Sequence, residues 1–284
     1  MSHWIKTTLL LILLSGLVLL MGRAWGGREG LTIAFVLVLI MNFGSYWFSD
    51  QIVLKMHRAV PLDRKNSPEL WAILDEVAQK ANLPTPKLYW MATASPNAFA
   101  TGRSPKHAAV AVTQGLVELL NTEEVKGVLA HEMGHVAHRD TLTSTIVATL
   151  AGVISYLAMM MRGSLMFGGY NTSRSRNQQA NPVLLILFAF LLPVAAAMIQ
   201  FAVSRTREYS ADDKGAELSG NPLYLASALQ KLSVASRRVP MTNVNPAAAH
   251  LFIVNPLAGV NFTRLFQTHP PIEERIARLE AMAR

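Results

Sequence analysis

Four stretches of this chain carry no charged residue, and they limit its fold more than any other feature. They cover Thr7–Gly22, Leu31–Ser49, Thr141–Met161 and Ala180–Ser204, with 16, 19, 21 and 25 residues. About 20 apolar residues in a helix cross a bilayer core, so the expectation is an α-helical membrane protein with about four transmembrane helices. Only 15% of the 284 residues are charged, against roughly 25% in a typical soluble domain. The first run is short, but Trp4 and Ile5 extend it past Lys6, whose stem can snorkel. No small-x-small cleavage site follows it in Gly22-Arg23-Ala24-Trp25-Gly26, and the second run starts almost at once. A retained hairpin is therefore expected rather than a signal peptide. Tyr46 and Trp47 close the second run as an interfacial aromatic belt would. The third run is rich in Thr and Ser, and a buried helix of a soluble domain would read the same way.

Basic residues set the expected orientation. Lys55 and Arg58 follow the second run, and Arg205 and Arg207 follow the fourth. By the positive-inside rule the N-terminus, the middle segment and the C-terminus face the cytoplasm. The expected organisation is a transmembrane hairpin over 1–50, a cytoplasmic segment over 51–140, a second apolar pair over 141–204 and a second cytoplasmic segment over 205–284. Between the last two spans, Gly163–Asn181 reads as an exposed Gly/Ser/Asn-rich loop. The net charge of +8 is scattered, with no basic run interleaved with aromatics. This argues against a nucleic-acid partner and for a cytoplasmic face set against anionic lipid. Cysteine is absent, so disulfides, cysteine nucleophiles and thiolate metal sites are excluded.

The middle segment reads as helix, strands, then helix. Leu70, Ile73, Leu74, Val77 and Ala78 have helical spacing after Ser67 as cap and Pro68 at the first helical position. Lys87–Met91 and Ala108–Thr113 read as strands. Ser95–Gly102 reads as a turn and a short extended piece, followed by a brief helix near Leu116–Leu120. Asn121, with Glu124 three residues on, forms a capping box for the next helix. That helix is expected to run through Asp140 almost directly into the third apolar run.

It carries His131-Glu132-Met133-Gly134-His135. Positions i and i+4 share a helix face, so both imidazoles can bind one Zn²⁺ while Glu132 serves as general base. A catalytic zinc takes three protein ligands. His138 lies about two turns from His131, roughly 10 Å along the axis, too far to share its metal. Glu208 and Asp212, also at i and i+4, present two carboxylates just after the fourth run. One can bind metal, which makes Glu208 a stronger candidate than His138, and the other can accept a histidine N–H. The bland alternative is an exposed charged turn. His3, His57, His107 and His250 lack metal-like spacing and read as surface residues.

These residues carry a resemblance. His131-Glu132-x-x-His135 followed by Glu208-x-x-x-Asp212 resembles the gluzincin arrangement. Ser204-Arg205-x-x-Glu208-Tyr209-x-Ala211-Asp212, with Asn97-Ala98-Phe99-Ala100 upstream and Thr268-His269-Pro270-Pro271 near the end, is similar to the HtpX family of heat-shock membrane zinc metalloproteases. These are relatives of the CAAX prenyl endopeptidases. The resemblance covers nearly the whole chain. It implies a mainly α (α+β) gluzincin-like domain, one Zn²⁺ per chain on His131, His135 and Glu208, and Glu132 as the catalytic base. It implies His269 as donor to the oxyanion with Arg275 assisting, Asn97 and Ala98–Thr101 as a substrate strand, and Arg205 and Asp212 in supporting positions. It further implies a bacterial inner-membrane endopeptidase acting on unfolded, misfolded or damaged membrane proteins, and it leaves a homo-oligomer open. The alternatives are a prenyl-protein endopeptidase and a catalytically silent metal-binding scaffold or chaperone.

Overall fold

The computed structural model describes residues 3–150, 205–241, 246–255 and 270–284. Most of the third apolar run, all of the fourth, and His269 lie outside the described residues.

The chain opens as α1 (His3–Met56), which is not a straight rod. The Asn42 side chain donates to Ser15 Oγ at 3.0 Å, whereas 27 residues of straight helix would separate them by about 40 Å. The reversal falls at Gly27, whose φ of +57° lies in the left-handed region. Gly22 and Gly30 then meet backbone to backbone, where a Cβ on Gly30 would come within 2.2 Å of the Gly22 carbonyl. The first two runs thus fold back on each other. The second arm, Gly27–Met56, is the one helix among the described residues long and apolar enough to cross a membrane. Ile33, Phe35, Ile40 and Phe43 are all more than half exposed along it.

This arm passes into the sheet without a flexible linker. Ala59 N–H bonds the Leu54 carbonyl and Arg58 N–H that of Lys55, with Arg58 at φ +53°, a Schellman-type stop. One residue later β1 (Val60–Pro61) begins. It starts a four-stranded sheet with β2 (Lys87–Met91), β3 (Ala98–Gly102) and β4 (Ala108–Thr113), in the order β1-β2-β4-β3. The β2–β4 pair is parallel and the outer pairs are antiparallel, so β3 is an edge.

Both sheet faces are covered, which explains the continuous apolar sequence of β4. On one face Leu88, Val110, Val112, Ala98 and Ala100 join the main core with α2 (Pro68–Lys80), α4 (Thr122–Ala137), α6 (Arg205–Ser219), α7 (Pro222–Arg238) and α8 (Ile272–Met282). On the other, Met91, Phe99, Ala109 and Ala111 pack with Val53 and Leu54 from the end of α1 and with Phe252. The short α3 (Gln114–Leu119) is capped by Thr113, which accepts from Leu116 N–H.

Two expectations are corrected. The motif helix does not run through Asp140. It stops at Ala137, and Arg139 at φ +59° breaks it before α5, helical over residues 140–150. His57 and His250 are also not surface residues. His57 packs against Phe99 and edge-on to Phe252, with ring centroids at 5.5 and 4.9 Å, and burial lowers its pKa to about 4. His250 is 6% exposed and hydrogen-bonds the Ser144 carbonyl through Nε2. Such tertiary burial leaves no mark in local spacing.

The capping box is present: Glu124 N–H donates to Asn121 Oδ1 at 2.8 Å, and Asn121 N–H to Glu124 Oε2 at 2.9 Å. The Glu124 carboxylate also accepts from Ser227 Oγ and Lys231 Nζ of α7. One buried residue therefore caps α4 and ties it to α7. Replacing it, as Glu124→Ala, should lower unfolding stability by about 2 kcal/mol, measured by denaturant titration of detergent-purified protein.

Candidate metal centre

The site is built where α4 crosses α6. The crossing is tight because small residues meet backbone. A Cβ on Gly134 would lie 2.9 Å from the Ala211 carbonyl, and one on Gly215 would lie 3.0 Å from the His131 Cα. That approach brings Glu208, in the first turn of α6, against the face of α4 that carries both histidines. His131 Nε2 is 4.0 Å from Glu208 Oε2, and His135 Nε2 is 3.5 Å from Oε1. One nitrogen from each ring and one carboxylate oxygen all lie within 4.8 Å of one another. The two rings stand edge-on, with centroids 4.7 Å apart.

Each histidine is held from behind by a carboxylate. His131 Nδ1 lies 2.9 Å from Asp212 Oδ1, and His135 Nδ1 lies 3.3 Å from Asp140 Oδ2. Donation from Nδ1–H leaves the Nε2 lone pairs facing Glu208, the tautomer a metal requires. Asp140 is five residues after His135, and the left-handed break at Arg139 returns it to the ring. Arg207 Nη1 lies 3.7 Å from Asp140 Oδ1. Arg205 is exposed at the start of α6, so of these two arginines Arg207 is the one turned towards the site.

Arg275 of α8 is fully buried behind this layer. Its Nε and Nη2 donate to the two Asp212 oxygens at 2.9 and 2.7 Å, and Nη1 donates to the Ile253 carbonyl at 3.2 Å. Nη1 also lies 3.7 Å from Glu208 Oε2. A planar bidentate guanidinium fits this role where a lysine would not.

Burial and pairing set the charges. Burial raises Glu132 to about 7, with His135 opposing, Glu208 adding to the rise and a hydrogen bond from the Ala100 backbone opposing. Burial lowers His131 to about 4 despite Asp212. Burial would also lower His135, but the Asp140 hydrogen bond, Glu208 and Glu132 outweigh it and lift the ring to about 9. Burial alone would raise Asp212, yet the Arg275 charge and the His131 hydrogen bond hold it at about 2. At neutral pH the site thus keeps a proton between carboxylates, where a cation can take its place.

The cleft in front is walled by Ala100 of β3, by Thr141 and Ser144 of α5, and by His250–Ile253. Asn97 does not face it freely. Its Nδ2 donates to the Val254 carbonyl at 2.8 Å and its Oδ1 accepts from Val254 N–H at 3.3 Å, pinning that wall to the start of β3. Asp140, His250 and Arg207 escaped the sequence reading. The proximity of Asp140 to His135 was the one available signal.

Two imidazole nitrogens and a carboxylate converging beside a buried glutamate of near-neutral pKa define a metallopeptidase-type site. The pattern described as Peptidase family M48 matches residues 64–283. A "Protease HtpX homolog" of Syntrophobacter fumaroxidans is 51% identical over 99% of this chain and 100% of its own length. Another from Pyrococcus furiosus is 51% identical over 99% of this chain and 96% of its own. Among solved structures, S. mikatae Ste24p shares the fold at a TM-score of 0.52 and 21% identity, matching 98% of this chain and 65% of that one. The chain belongs to peptidase family M48, among its HtpX proteases, and is a membrane-bound metalloendopeptidase.

The buried pair behind the site has a measurable consequence. Arg275→Met leaves Asp212 charged in the interior with the His131 N–H but no counter-charge, and should cost about 3–5 kcal/mol, read from denaturant unfolding of metal-free protein. Asp212 has its pKa depressed from 3.8 to about 2. The wild-type pair's contribution is therefore full above about pH 4 and lost as pH falls through about 2, a dependence the variant should lack.

Proposed function

We propose that this protein is a zinc endopeptidase holding one Zn²⁺ per chain on His131 Nε2, His135 Nε2 and the Glu208 carboxylate. The observation that carries this is the convergence of those three groups within 4.8 Å, with each histidine Nδ1 turned to a carboxylate. Two nitrogens and one oxygen, with no cysteine in the chain, suit a catalytic zinc site that keeps one position open. Zinc bound there supplies Lewis acidity that polarises a peptide carbonyl and acidifies water.

Glu132 is the base. It is 2% exposed, its pKa lies near neutral, and the Ala100 backbone orients its carboxylate. It takes a proton from the attacking water and returns one to the leaving nitrogen. The developing oxyanion needs a further donor, which we assign by resemblance to His269. Arg275 does not serve that purpose directly in this reading. Its donors go to Asp212 and Ile253, so it positions His131 through Asp212. Substrate pairs as an added strand on the outer edge of β3, and Asn97 keeps the opposing wall in place.

The setting we propose is the bacterial inner membrane, crossed four times, with residues 51–140 and 205–284 forming the protease domain on the cytoplasmic side. Substrates are unfolded or damaged membrane proteins. The exposed apolar arm of α1 supports the membrane contact, and Lys55 and Arg58 at its end support the orientation. The likeness to Ste24p extends to the fold alone. Prenyl-protein cleavage is therefore the weaker reading.

Glu132→Gln should keep zinc, by elemental analysis, while casein cleavage falls by about 10²–10⁴-fold. Turnover within a few-fold of wild type contradicts the assignment. Zinc must also displace the proton that His135 holds up to about pH 9. Zinc affinity should therefore rise as pH rises from 6 to 8, by about tenfold per unit, read by competition with a chelator of known pH dependence.

A further inference from the structure

The direction of β3 relative to the membrane arm bears on which bonds the site can reach. The second arm of α1 leaves its charge-free run at Ser49 and continues as helix to Met56. β3 lies along those last turns. Near its start, Phe99 packs with Val53 and Leu54 and against the His57 ring. Just past its end, Arg103 stacks over the Trp47 ring at 4.8 Å and reaches the Trp47 carbonyl at 3.5 Å. The two elements therefore run in opposite directions. Six helical residues from Trp47 to Val53 cover about 9 Å, and four strand residues from Phe99 to Arg103 cover about 13 Å. As β3 advances it returns towards the apolar run. Trp47 is 43% exposed, between exposed Phe43 and Phe48, as expected of an aromatic residue at the membrane boundary.

The outer edge of β3 is divided along its length. Thr113 N–H bonds the Asn97 carbonyl, so in the alternating antiparallel pattern Phe99 and Thr101 also bond β4, while Ala98, Ala100 and Gly102 turn their backbone groups outward. Two contacts agree with that phase. Ile253 N–H takes the Ala98 carbonyl at 3.0 Å, and the Ala100 backbone bonds Glu132. Ile253 and the Asn97–Val254 pair thus occupy the end of the edge away from Trp47. The Ala100 N–H is taken by Glu132, so the stretch left for an incoming strand runs from the Ala100 carbonyl to Gly102.

Resting on the β3-edge endopeptidase reading above, we infer that the substrate is a polypeptide leaving the bilayer beside Trp47, cut in the first few residues C-terminal to a membrane-spanning segment. Antiparallel addition is the more stable pairing per residue. Because β3 runs towards the membrane boundary, an antiparallel peptide runs away from it, with its N-terminal side in the bilayer. Ala100 lies three residues from Arg103, about 10 Å along the strand. The scissile bond therefore falls about three to five residues outside the boundary.

The test uses the full-length protein in proteoliposomes with two single-span substrates. Each displays the same unstructured casein segment on the face of the protease domain, one C-terminal to the span and one N-terminal to it. Cut sites are mapped by mass spectrometry, and free casein and Glu132→Gln are run alongside. The C-terminal arrangement should be cut faster by on the order of tenfold, with cuts clustered next to the span. Trp47→Ala, which removes the ring under Arg103, should scatter those cuts. Equal rates, faster cutting of the N-terminal arrangement, or cuts spread along the segment by wild-type protein overturn the inference, while continued Glu132-dependent cleavage of free casein keeps the endopeptidase reading intact. Free casein cleaved equally by Glu132→Gln overturns the catalytic reading itself.

Discussion

Everything at the metal centre depends on how closely α4 and α6 can cross. Gly134 meets the backbone at Ala211, and Gly215 meets the backbone at His131. Without that approach Glu208 could not stand 3.5 Å from His135 Nε2, and the two halves of the site would remain separate. The crossing is fixed by a buried network rather than by apolar contact alone. Arg275 grips Asp212 with two hydrogen bonds, and Asp212 in turn orients His131. A buried ion pair adds little net stability over apolar packing, but losing one partner is costly. The network therefore makes the geometry specific, and it joins α8, α6 and α4 at one point.

The second constraint is the rigid join between the membrane arm and the sheet. The Schellman-type stop at Arg58 leaves one residue before β1, and Val53, Leu54 and His57 pack directly behind β3. The hairpin thus forms part of the scaffold that positions the cleft. Phe99 and Phe252, one from each cleft wall, meet His57 in a single aromatic cluster. Movement of the arm would be felt at both walls.

Local features of the site were legible in the sequence because they obey local periods. The i, i+4 pairs His131/His135 and Glu208/Asp212 place their side chains on single helix faces, and the Asn121–Glu124 box caps α4 as its spacing implies. Both β2 and β4 coincide with their apolar runs. What escaped depends on tertiary contact or on a single backbone angle. Asn97 reads as a turn residue, yet its amide pairs with Val254, 157 positions away. Asp140 reads as part of a continuing helix, and only the positive φ of Arg139 turns it back onto His135. His250 has no metal-like spacing and becomes a cleft residue because the 250–253 segment folds over β3.

Two helices brought together in this way would bind one zinc through two histidines and one glutamate, and X-ray absorption spectroscopy of the zinc-loaded, full-length protein can see that shell. The expected shell is two imidazole nitrogens at about 2.0–2.1 Å and one carboxylate oxygen at about 2.0–2.2 Å, with any remaining position filled by a light atom from solvent. A third imidazole in the shell, from His138 or His250 for example, would contradict it.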